Sequence, residues 1–66
     1  MGHKLKIFRL QRNMTQEELS ERSGVSRQTI SSIENEGVGA ATTKTLAKLA
    51  EALETTVGEL FFKDSV

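Results

Sequence analysis

Apolar positions along the chain recur at helical spacing, and no segment alternates strictly as a half-buried strand does. In residues 43–54, Leu46, Leu49, Ala50 and Leu53 fall at i, i+3, i+4 and i+7, with Lys44, Lys48 and Glu51 on the other side. Such a stripe predicts an amphipathic helix from about Thr43 to Glu54. Upstream, Thr15 and Glu18 have the T-x-x-E spacing of a capping box, and Met14 and Leu19 stand where a hydrophobic staple joins. A helix starting there should stop near Gly24, because glycine takes the left-handed conformation that ends helices. Ser26 then caps another helix, with Val25 and Ile30 as a second staple. Two short helices joined by about three residues, with glycine in the turn, outline a helix-turn-helix over residues 16–35. Thr56 and Glu59 repeat the capping-box spacing and open a short last helix containing Val57, Leu60 and Phe61. The first helix, near Lys4 to Arg12, is ambiguous: Leu5 and Phe8 define one apolar stripe, Ile7, Leu10 and Met14 another.

Composition narrows this to one small all-α domain over residues 1–66. The chain has 66 residues, no proline and three aromatic residues, all phenylalanine, which disfavours strands. Without cysteine there is neither a disulfide framework nor a thiolate metal site, and the single histidine cannot build a zinc site alone. No metal or cofactor is therefore expected. So short a chain has little volume for a walled catalytic pocket, so a binding module is favoured over an enzyme. No apolar run approaches the roughly 20 residues of a bilayer span, and there is no apolar signal-peptide core. Lys6 occupies the position where the myristoylation pattern requires serine or threonine. These features predict a soluble, cytoplasmic protein with no membrane partner.

Formal net charge is zero, which counts against a nucleic-acid partner, but the charge is unevenly placed. Residues 1–12 carry Lys4, Lys6, Arg9 and Arg12 and none of the nine acids. A neutral molecule polarised in this way can still present a positive face; the same charges can equally serve only to solvate helices.

The helix beginning at Ser26 carries the most chemistry. At about 100° per residue, Ile30 and Ile33 mark its buried side. Gln28, Ser31, Ser32 and Asn35 are displayed opposite, with Arg27 at one edge and no acid on that face. Ten helical residues span about 15 Å, and the major groove is about 12 Å wide. Short serines allow close approach, while Arg27 and Gln28 can pair with guanine and adenine edges respectively. Gln16, in the first turn of the preceding helix, is placed to hydrogen-bond a phosphate and fix the docking angle. The alternative is an ordinary solvated face of a bundle helix. Glu34 lies about 40° from Ile30, beside the buried stripe, where a carboxylate needs a partner. Arg9 is placed similarly beside Leu5 and Phe8, so an Arg9–Glu34 ion pair linking the two helices is expected.

The stretch Thr15-Gln-Glu-Glu-Leu-Ser-Glu-Arg-Ser-Gly-Val-Ser-Arg-Gln-Thr-Ile-Ser-Ser-Ile-Glu-Asn35 resembles the core motif of the lambda-repressor-like (Cro/CI, XRE) helix-turn-helix family. The likeness continues through Leu46-Ala-Lys-Leu-Ala-Glu-Ala-Leu53 and Val57-Gly-Glu-Leu-Phe61. It implies a compact five-helix fold, a bacterial or phage transcriptional regulator, the Arg9–Glu34 pair, and Leu5 and Phe8 as the buried side of the first helix. It places Ser26, Arg27, Gln28 and Ser32 against bases, with Thr29 and Ser31 nearby, and Gln16 and Asn35 against phosphates. Two positions depart from the family pattern: Ser20 replaces a common alanine, and the loop Glu36–Thr43 is longer and lacks basic residues. Phosphate contacts from that region then fall to Thr43, Lys44 and backbone amides. The family commonly binds palindromic double-stranded DNA as a homodimer, for which Val57, Leu60, Phe61 and Phe62 are the candidate contacts; packing against the first helix is the competing role for Leu60 and Phe61. A protein-interaction module that never touches DNA is the rival reading, favoured only by the zero net charge. An enzyme has no nucleophile–base constellation behind it.

Overall fold

A computed structural model of the chain describes residues 3–39 and 41–62, without the side chains of His3 and Phe62. Its helices are α1 (His3–Gln11), α2 (Gln16–Ser23), α3 (Arg27–Glu36), α4 (Thr43–Ala52) and a last π-helical turn, α5 (Gly58–Phe62). There is no strand among the described residues.

Local chemistry sets most of the boundaries. The Thr15 hydroxyl accepts from the Glu18 amide, and the Glu18 carboxylate accepts from the Thr15 amide, closing the capping box. Gly24, at φ 77°, ends α2, and its N–H donates to the Ser20 carbonyl. The left-handed region is open to glycine without the clash that a Cβ brings. Ser26 caps α3 and Thr42 caps α4, each accepting an amide three residues on. At the α5 end, the Thr56 hydroxyl accepts from the Glu59 amide.

Two helices stop short of expectation. The α1 helix stops at Gln11, one residue early, because Asn13 turns into the left-handed region at φ 55°. The α4 helix stops at Ala52, short of Glu54, although no glycine stands there. Glu54 takes φ 57°, and the Thr55 amide reaches back to the Ala50 carbonyl. A carbonyl near the helix end is thereby satisfied by a turn that glycine usually makes.

The helices enclose one core. Leu5, Leu19, Ile30, Leu49, Leu53 and Leu60 are fully buried, and Phe61 nearly so. The α1 helix packs on α3 and α5, and α2 packs on α3 and α4. This settles the ambiguity in α1: Leu5 is inside and Phe8 packs against the core, while Ile7 and Leu10 are exposed. Of the candidate dimer residues, Leu60 and Phe61 belong to this core, the competing role expected for them. A terminal helix this short has only one apolar side, and α1 covers it. Val57 is half-buried against the same core, and the Phe62 side chain lies outside the described residues.

Candidate nucleic-acid interface

The turn Gly24-Val25-Ser26 separates α2 from α3, and Val25 is buried beneath it. With Ile30 and Ile33 also buried, α3 has its apolar side inward and its polar side outward. Arg27, Gln28 and Ser32 are exposed. No hydrogen bond from any of their side chains occurs among the described residues, so their polar atoms face water. These are one guanidinium, one carboxamide and one hydroxyl on a surface about as long as the major groove is wide.

Ser26, Thr29, Ser31 and Asn35, also expected here, have internal partners. The Ser26 hydroxyl accepts from the Thr29 amide at 3.1 Å and donates to the Thr29 hydroxyl at 2.8 Å. Its donor is therefore engaged within the helix cap, leaving only acceptor capacity. Asn35 donates to the Ser31 hydroxyl at 3.3 Å, one turn away along the helix. Thr43 and Lys44 are exposed in the first turn of α4.

One acid does reach this surface, contrary to the expectation of an acid-free face. Glu36 is still helical, one residue beyond the expected end of the motif, and is exposed. It lines an open cleft of about 440 Å³ together with Gln28 and Ser32 of α3 and Gly39 and Ala41 of the following loop. A carboxylate there accepts from an exocyclic amine such as cytosine N4 and repels phosphate.

Beneath the surface lies a buried polar cluster. Arg9 Nε donates to Glu34 Oε2 at 2.8 Å and Nη2 donates to Oε1 at 3.2 Å, a two-pronged pair with side chains only 9% and 3% exposed. Arg9 Nη1 donates to the Met14 carbonyl at 2.7 Å. Arg9 thus joins α1, the residue before the α2 cap, and α3. Its charge is neutralised inside the fold, so the positive field expected from residues 1–12 is weaker than their count suggests. Gln16, expected to be free for phosphate, donates from Nε2 to Glu34 Oε1 at 3.0 Å. Nothing in the one-dimensional pattern marks this bond, which depends on how the start of α2 lies beside α3.

A family model described as Helix-turn-helix (HTH_3) matches residues 5–60. The chain belongs to this lambda-repressor-like, XRE-type helix-turn-helix family. The family is one of DNA-binding transcription regulators rather than enzymes. Neither a curated protein nor a solved structure matches the chain significantly. The matched range runs from the buried Leu5 of α1 to the buried Leu60 of α5, so it takes in the core as well as the helix-turn-helix. No described helix is long and apolar enough to cross a membrane.

Proposed function

We propose that this protein is a sequence-specific regulator, acting in the cytoplasm as a repressor, that occupies a palindromic operator as a homodimer. Arg27, Gln28 and Ser32 read bases in the major groove. Gln16, Asn35, Thr43 and Lys44 contact or approach phosphates, with Ser26, Thr29 and Ser31 shaping the near edge of the reading surface. The observation that carries this reading is the outward face of α3, whose hydrogen-bonding groups at Arg27, Gln28 and Ser32 have no partner among the described residues. Polar groups left available on a rigid helix are what direct base readout requires. The family's common two-fold mode of binding supports the dimer. Size is compatible with it: the fold measures 32 × 24 × 19 Å, and two copies fit side by side on half-sites about 34 Å apart. On this reading repression follows from occupancy of the operator, which excludes other proteins from the same DNA.

Selection of bound sequences from random DNA duplexes tests the proposal. The expected product is an inverted repeat with half-sites one helical turn apart, about 10 base pairs, bound by two chains. An asymmetric site bound by a single chain contradicts the dimer. Recovery of no sequence preference contradicts specific readout.

A further inference from the structure

The Gln16–Glu34 bond gives a buried residue a part in docking. A glutamine side chain carries a carbonyl acceptor at one end of its amide and an NH₂ donor at the other, and in solution it presents either. A phosphate only accepts, so it needs the donor end. At Gln16 one N–H is held by Glu34 Oε1 at 3.0 Å, and the second N–H of the same nitrogen diverges from it by the planar geometry of the amide. Gln16 is only half-buried, which leaves that second N–H a route to solvent. The carboxylate itself cannot drift, because Arg9 grips both of its oxygens and also holds the Met14 carbonyl just before the α2 cap. Arg9 also cancels the negative charge that would otherwise repel a nearby phosphate.

We propose that Glu34 is a positioning residue for DNA docking: it holds the Gln16 amide so that the free N–H is directed at a backbone phosphate, in fixed register with the reading helix α3. This rests on the reading of Gln16 as a phosphate contact, and the test separates the two.

The probe is a mixed-sequence DNA duplex about 20 base pairs long, two helical turns. Its affinity is measured at one salt concentration for the wild type, Gln16→Ala, the apolar replacement Arg9→Met/Glu34→Leu, and the triple variant. Replacing both charges removes the acceptor without stranding a buried ion, which keeps the fold accessible; cooperative melting checks this. Gln16→Ala is expected to weaken binding about two- to tenfold, the worth of one hydrogen bond. The apolar replacement is expected to lose a similar factor and to lose nothing further when Gln16→Ala is added. Independent, multiplying losses overturn the proposal, as does an apolar variant that binds like the wild type. If Gln16→Ala alone has no effect, the phosphate contact and the positioning role both fail, while DNA binding stands. If the wild type does not bind, the DNA reading itself fails. Should the apolar variant not fold, side-chain amide relaxation of Gln16 in the free wild type decides. An order parameter above the flexible range, which lies below about 0.6, supports the proposal, and one within that range overturns it.

Discussion

Glu34→Ala is expected to leave the domain largely unfolded at room temperature. The substitution removes both acceptors of the Arg9 pair and leaves a guanidinium, 9% exposed, with the Met14 carbonyl as its remaining partner among the described residues. Breaking a buried pair by deleting one member costs about 3–5 kcal/mol, against about 0–1 kcal/mol for a surface pair. A single core in a domain of this length rarely supplies more than about 3–5 kcal/mol in total, so the loss is comparable to the whole margin. The penalty arises from the stranded charge rather than from a large attraction within the pair, so Arg9→Met/Glu34→Leu should restore most of the stability. Thermal unfolding followed by helical circular dichroism measures both variants. An unchanged melting temperature for Glu34→Ala contradicts the argument.

On its preferred operator, Arg27→Ala and Gln28→Ala should each weaken binding by about 1–3 kcal/mol, or roughly five- to 150-fold. Both side chains are exposed near the N-terminal end of α3, where they have length enough to reach base edges. Each substitution should also relax the preference at one base position, since an alanine no longer distinguishes the pairs. Gln16→Ala should instead lower affinity for all sequences more evenly, because a phosphate is the same at every step. Fold stability should hardly change for Arg27 and Gln28, as no core contact is lost. Competition assays with single-base operator variants give the measurement. Even losses from all three substitutions would show that the division into readers and positioners is wrong.

Much of the fold was legible because its signals are short-range. The Thr15–Glu18 box, the Ser26 cap and the Gly24 stop each involve residues within a few positions, so spacing alone identifies them. The Arg9–Glu34 bond spans 25 positions and was still inferable, because a carboxylate beside an apolar stripe requires a partner. The stop of α4 was not legible, since Glu54 adopts a conformation that sequence rules assign to glycine or asparagine. The buried side of α1 was not legible from periodicity, although the family resemblance had implied Leu5 and Phe8. Two stripes competed there, and only packing against α3 and α5 excludes Ile7 and Leu10.

The candidate interface divides in the same way. Helical geometry alone placed Arg27, Gln28 and Ser32 outward, but it could not show that the Ser26 hydroxyl donor is taken up by Thr29 within the cap. It also missed Glu36 on the cleft beside Gln28 and Ser32, because the helix runs one residue past the motif. In the proposed DNA-bound state that carboxylate would favour an amine-bearing base edge and penalise a phosphate brought too close.

The most direct measurement of the central claim is a map of backbone amide shifts as the selected duplex is titrated into labelled protein. The expected changes concentrate at Arg27, Gln28 and Ser32 of α3 and at Gln16 in the first turn of α2, with Ile7, Leu10 and Lys48 scarcely moving. Changes confined to the outer faces of α1 or α4, with α3 unperturbed, would contradict the assignment of α3 as the helix that meets DNA.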